Sequence, residues 1–402
     1  MKKSLVALAL AGAFAAPTAA MAVDVSFGGE FDLFLESFDN GEESVGQMNN
    51  THSRFWWDMV DDLGTGLKVK GHLELDVGAV GYHGGNAANN SGLSVCTDAA
   101  CTPGTGIATV QPGVNNRNSY IGLAGDSWGE VRFGTQENIL EATGYAVDPF
   151  HGAAGPGGNI VNGMGQCGIE GKCNAVFNGG NIGARRTDST ITYISPNWSG
   201  FTFQVDYALA GPTGTGLVSG GEDWTELYYG ARYDGQAGFG GWRVYGAGGN
   251  VDNADLSGTG TIGPGGSSKD KEYRLGGGVT WGNFAVDFIY EQNEWDSTDQ
   301  GGDKIKRDGW WLGGSWMIPT GKVAIGYIMM NDAELNGSDV SNSDTSNIAI
   351  GYYHTLSANS SVYAIYNGMD NGDAAAGNIQ SGGTAAVGKD PSTIGVGMYL
   401  VF

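Results

Sequence analysis

The chain closes with STIGVGMYLVF, residues 392–402. From Ile394 every second residue is large and apolar: Ile394, Val396, Met398, Leu400 and Phe402. The alternate positions Thr393, Gly395, Gly397, Tyr399 and Val401 are smaller and more mixed. One face every second residue is the periodicity of a β-strand. In a soluble sandwich a second sheet would cover the apolar face, yet here an aromatic residue ends it. The rest of the chain must say what buries that face.

Working outward, the same alternation recurs. VDVSFGGEFDLFLESF (23–38) sets Phe27, Gly29, Phe31, Leu33 and Leu35 on one side. SRFWWDMVDD (53–62) sets Phe55, Trp57 and Met59 opposite Arg54, Trp56 and Asp58. LKVKGHLELDVG (67–78) sets Leu67, Val69, Leu73, Leu75 and Val77 opposite Lys68, Lys70, His72, Glu74 and Asp76. A half-buried soluble sheet alternates in the same way, so the connections have to decide. They alternate strictly between tight and long. The tight ones are DLGTG, GDSWGE, SPNWSG, GQAGFGG, WGN, PTGK and LSANS. Between them run long polar segments near 39–52, 81–115, 137–185, 211–222, 251–270, 296–307, 333–344 and 369–389. This pattern predicts an all-β fold, a sixteen-stranded antiparallel transmembrane β-barrel with short turns on one side and long loops on the other. Lipid then buries the apolar face of the last strand, and its edge pairs with the first strand, because an open edge in hydrocarbon leaves backbone groups unsatisfied.

Composition agrees. Lys2 and Lys3, the apolar SLVALALAGAFAA and Ala20-Met21-Ala22 predict a cleaved signal peptide over 1–22 and a barrel domain over 23–402. Loss of Lys2 and Lys3 takes the formal charge from −23 to −25, which argues against nucleic-acid partners. No stretch approaches the ~18 apolar residues of a spanning helix. The 72 glycines suit strands that curve and pack closely. Trp128, Trp198 and Trp281 sit beside tight turns, while Trp57, Trp224, Trp310 and Trp311 lie near loop-side strand ends, as two interfacial girdles require. The four cysteines form two close pairs. Zinc-ligand spacing is missing, so local disulfides Cys96–Cys101 and Cys167–Cys173 are expected in an oxidising compartment.

At this point the chain resembles the general, non-specific porin family of Gram-negative outer membranes. The resemblance runs through DLGTGLKVKGHLEL, RNSYIGLAGDSWGEVRFGTQ, RRTDSTITYISPNWSGF and the closing VGMYLVF. It implies a homotrimer embedded among outer-membrane lipids and lipopolysaccharide, with one water-filled pore per subunit for ions and small hydrophilic solutes. It also implies that the third loop, 137–185, folds inward and narrows the pore. That loop carries Glu137, Glu141, Asp148 and Glu170. Parity places Arg54, Lys68, Lys70, His72 and Arg132 inward, and Arg186 is read with Asp188 on the polar face of its strand. The family's arginine cluster, set opposite an acidic loop, matches Arg54, Arg117, Arg132 and Arg186. The family's loop acid stands in a Pro-Phe-Gly stretch, whereas here the segment reads DPFHGAAG, with Asp148 before Pro149. Phe402 is expected to serve as the assembly signal. No cofactor or metal is called for: His52, His72, His83, His151 and His354 are scattered, and no G-x-S-x-G elbow or repeat of a calcium-binding type is present. A substrate-specific channel or a loop-borne adhesin or receptor is the alternative. The ion preference stays open, because the net charge points to cations and the arginines to anions.

Overall fold

The computed structural model describes residues 23–78, 114–150, 164, 186–209, 225–253, 268–296, 303–377, 379 and 386–402. The expected signal peptide, the four cysteines, Glu170 and Trp224 lie outside these residues. Strand β1 is Asp24–Asp39, and β2 comprises Ser44–Asn50 and Arg54–Asp62. Then come β3 Leu67–Val77, β4 Val114–Gly125, β5 Gly129–Glu137, the helix α1 Ile139–Tyr145 and β6 Arg186–Ile194. Strands β7 Phe201–Leu209, β8 Thr225–Ala237, β9 Gly240–Asn253, β10 Ser268–Trp281 and β11 Phe284–Asp296 follow. The wall is completed by β12 Lys304–Ile318, β13 Gly321–Met330, β14 Thr345–Ser357, β15 Ser360–Asn371 and β16 Ser392–Val401. A two-residue hairpin, Glu334–Leu335 with Ser338–Asp339, decorates the loop after β13.

All pairing is antiparallel between neighbours, and β1 closes on β16 from Glu30↔Val401 to Asp39↔Ser392. The result is a closed barrel of sixteen staves. Phe402 adds two more backbone bonds, donating to the Gly29 carbonyl at 2.9 Å and accepting from its N–H at 3.0 Å. Its ring lies about 6 Å from those of Phe27, Phe31 and Phe55. A Cβ on Gly29 would collide with that ring, so the glycine makes the seam possible.

The outer face is the apolar one. Ile394, Val396, Met398, Leu400 and Phe402 are all exposed, as are Leu275, Phe288 and Leu312 on the far side. Such a face persists only against lipid or another protein. All seven tight turns are present, at the same end of the barrel.

Three expectations need correction. The segment 39–52 is not a long loop: Ser44–Asn50 pairs with Leu33–Asp39, leaving four residues as the turn. Polar Gln47 and Asn49 sit in a strand because their amides donate to the Glu36 carboxylate inside the barrel. Because that stave reaches up to Ser44, Trp57 is mid-wall beside Phe27 rather than at a loop-side end. Trp311 is no girdle residue either. It is wholly buried on the inner face, against Val147, Tyr245, Ile289 and Ile328.

Candidate functional site: the lumen constriction

The third loop enters the barrel directly from β5. Asn138 caps α1, its side chain accepting from Glu141 N at 3.0 Å, and the Asp206 carboxylate of β7 accepts from Ile139 N at 3.0 Å. Buried Arg274 of β10 donates to the Leu140 carbonyl at 2.5 Å while its other nitrogens hold Glu291 at 2.5 and 2.8 Å. The chain then runs along the inner wall. Leu140 packs on Tyr228, Ala247 and Val251, Val147 and Met164 on Tyr245 and Trp311, and Phe150 on Tyr353, Tyr363 and Phe34. A Cβ on Gly326 or Gly351 would stand 3.3 Å from the Phe150 ring, so glycines form the seat for it. Lys322 donates to the Pro149 carbonyl at 2.7 Å and lies over the Tyr353 ring. The inner faces of β8–β15 thus hold the loop on apolar seats interspersed with buried ion pairs such as Arg274–Glu291, which leaves the lumen between the loop and the inner faces of β1–β6.

That opposite wall carries the expected arginines, and each one already has a carboxylate. Arg54 meets Glu30 at 2.9 Å and Glu74 at 3.1 Å. Arg117 shares Glu74 at 2.8 Å. Arg186 meets Glu137 at 2.6 Å and Glu141 of α1 at 3.5 Å. Nearer the tight turns, Arg132 and Lys70 share Glu130 at 2.7 and 2.8 Å, and Arg132 also covers the Tyr120 ring. His72 stacks on Tyr120 and meets Asp58 at 2.7 Å. Lys68 lies on the same inward row, closer to the turn.

The structure thus brings Arg54, Arg117 and Arg186 into one network with Glu137 and Glu141, and sets Arg132 and Lys70 below it. Asp148 stands apart, accepting from Phe150 N at 2.8 Å on the Lys322 side. Burial lifts the Glu141 carboxyl above its ordinary range, against the pull of Arg186. Burial likewise raises the Tyr145 phenol, whose ring stands edge-on to His52 at 6.2 Å.

Sequence reading missed the wall carboxylates Glu30, Glu74 and Glu130 as partners, although Glu74 shares the inward row with Lys68, Lys70 and His72. It also missed the loop anchors Asp206, Arg274 and Lys322. Asp188 does not accompany Arg186 inward. At Ser189 the backbone turns to φ +54, the pairing with β5 shifts, and Asp188 points outward to accept from Thr135 Oγ1 at 2.8 Å. An irregularity of this kind moves a side chain to the other face.

A family model for Gram-negative porins matches residues 5–374. The chain belongs to the Gram-negative porin family. An outer membrane porin protein of Bordetella pertussis is 27% identical over 229 residues, which is 52% of this chain and 49% of that protein, about half its length. Outer membrane porin protein 32 of Delftia acidovorans is 25% identical across 100% of both chains. Among solved structures, the anion-selective porin from Comamonas acidovorans superposes with a TM-score of 0.69 at 20% identity, covering 95% of this chain and all of that one. The trimer form of OmpT of Vibrio cholerae gives 0.63 at 18%, again covering 95% and all. These structures share the fold of the porin, an outer-membrane channel of the passive-diffusion type.

Proposed function

We propose that this porin passes ions and small hydrophilic solutes through a constriction whose charges are internally compensated, so that it discriminates weakly by charge at neutral pH. One observation carries this reading: Arg54, Arg117, Arg132 and Arg186 each touch a carboxylate, and Glu30, Glu74, Glu130, Glu137 and Glu141 match them with Lys70. Opposed charges within a narrow lumen orient polar solutes, while their far fields largely cancel. The pore-facing set comprises Arg54, Arg132, Arg186, Lys70 and their partners, because Arg117 is nearly buried where the loop meets the wall. The A-x-A site after residue 19 and the close cysteine pairs support export through an oxidising compartment, with Cys96–Cys101 and Cys167–Cys173 as loop clips.

A homotrimer is part of the proposal. On β4–β6 the outer face carries Asp188, Thr135, Asn116 and Ser119 linked by hydrogen bonds. Asp188 is five residues along its strand from Tyr193, about 13 Å up the barrel at ~3.4 Å per residue and ~40° of tilt. A carboxylate at that depth is costly against lipid, and a neighbouring subunit would cover it. Liposome swelling with a graded sugar series tests the diffusion reading. Rates should fall smoothly with solute size, whereas saturation by one sugar would establish a specific channel instead. Native mass spectrometry should give three copies per assembly, and a monomer would remove the trimer.

A further inference from the structure

Trp56 belongs to the inward row of β2, between Arg54 and Asp58, and stands across from Gly28 of β1 and Glu74 of β3. Its neighbours Phe55 and Trp57 face the other way, against the rings of Phe402 and Phe27. A Cβ on Gly28 would stand 2.6–2.7 Å from Cε2, Cζ2 and Nε1 of the indole. Three ring atoms at one distance mean that the ring plane, not its edge, meets the wall, so the indole lies flat on the bare backbone of β1. It is half-buried, and its second face turns to the lumen, just on the turn side of the Arg54–Glu30–Glu74 network.

Two other inner rings show what such a face takes. Arg132 stands 4.4 Å from the centroid of Tyr120, and Lys322 stands 4.5 Å from that of Tyr353. In both places the chain supplies its own cation. Among the described residues, neither a ring nor a cation covers Trp56, although indole is the most favourable aromatic face for a cation. The nearest guanidinium along the row, that of Arg54, is turned away to Glu30 and Glu74 at 2.9 and 3.1 Å. A carboxylate stands on the other side. Asp58 follows Trp56 on the same row with its side chain 47% exposed; its Oδ1 meets His72 at 2.7 Å, and its second oxygen has no partner among the described residues.

We propose that Trp56 and Asp58 form a lumen site for quaternary ammonium ions. A methylated ammonium head carries no N–H to satisfy and is weakly hydrated, so it can lie on a ring face that offers no hydrogen-bond acceptor. A primary ammonium, compact and strongly hydrated, gives up more water to do the same. Asp58 supplies the opposite charge, in a confined lumen where screening is weaker than at an open surface. The site works beside passive diffusion: it holds back one class of solute in transit and leaves the compensated network above it intact. The inference rests on the porin reading, which gives solutes access to the lumen.

The test follows the proton line width of the N-methyl signal of choline as the purified porin is titrated in deuterated detergent. The neutral carbon analogue of choline, 3,3-dimethylbutan-1-ol, is measured in the same way. The wild type should bind choline roughly threefold or more tightly than the analogue. Trp56→Leu keeps apolar bulk without the aromatic face and should abolish that preference, while Trp56→Phe should keep part of it. Asp58→Asn should weaken choline about twofold to threefold and leave the analogue unchanged. Equal affinities in the wild type overturn the proposal and make Trp56 an apolar shelf; so does a wild type that binds neither, or a folded Trp56→Leu variant that keeps the preference. The wild-type comparison needs no substitution, so it decides the matter even where Trp56→Leu lacks heat-modifiable mobility. Single-channel current in KCl is recorded in parallel: its absence in the wild type would overturn the porin reading, whereas a lost choline preference with normal current concerns Trp56 alone.

Discussion

Replacing Glu74 by Gln should make the pore anion-selective. Its Oε1 accepts from Arg54 and Arg117 at 3.1 and 2.8 Å, and its other oxygen accepts from Asn118 N at 3.4 Å. Gln keeps the shape and a carbonyl acceptor but removes one negative charge, and Glu30 still restrains Arg54. A permeating ion passing ~6 Å from the uncompensated charge feels about 0.7 kcal/mol at a dielectric near 80, and roughly half that with the ~10 Å screening length of 0.1 M salt. The effect has opposite signs for cation and anion, so the permeability ratio should move roughly threefold to tenfold towards chloride. The assay is the reversal potential across a planar bilayer under a KCl gradient near 0.1 M, with heat-modifiable mobility as the folding control. A folded variant with an unchanged reversal potential would refute the idea that Glu74 neutralises the arginines seen by ions.

The reverse change, Arg132→Gln with Arg186→Gln, leaves Glu130 and Glu137 underpaired and should shift selectivity towards cations and raise conductance, read in the same bilayers. Arg274→Met removes the clamp on the Leu140 carbonyl and the buried cation beside Glu291, so current noise and mean conductance should rise in the assembled fraction and the heat-modifiable barrel should melt at a lower temperature. Phe402→Asp breaks the ring cluster with Phe27, Phe31 and Phe55 and puts a charge on the lipid face; the yield of membrane-inserted protein should fall severalfold.

Much of this architecture was legible because a barrel wall has only two sides. LKVKGHLELDV needs no tertiary information: its apolar and polar residues fall in the faces that the structure gives them. Legibility fails where parity slips. Thr51–Ser53 oppose two residues of β1, so the alternation before them does not carry into Arg54 and beyond. Ser189 does the same to Asp188. A second failure concerns the inner wall. Trp311 was expected in the girdle, yet it is inward, as are Tyr353 and Ile365, because the third loop supplies its own apolar partners, Val147 and Phe150. Pairing was hidden for a third reason: Glu30, Glu74 and Arg54 come from three different strands, and only the closed register makes them neighbours.

The central claim is the compensated constriction, and the reversal potential of the unaltered porin tests it most directly. At neutral pH the potassium-to-chloride permeability ratio should stay within about twofold of unity, an energy difference below ~0.5 kcal/mol. Acidification should then favour chloride, with Glu141 among the first carboxyls to take up a proton, since its affinity is raised by burial; Arg186, which also faces Glu137, would lose part of its compensation. A ratio tenfold in favour of chloride at neutral pH, unchanged on acidification, would contradict the account and show that the arginines act as an uncompensated wall.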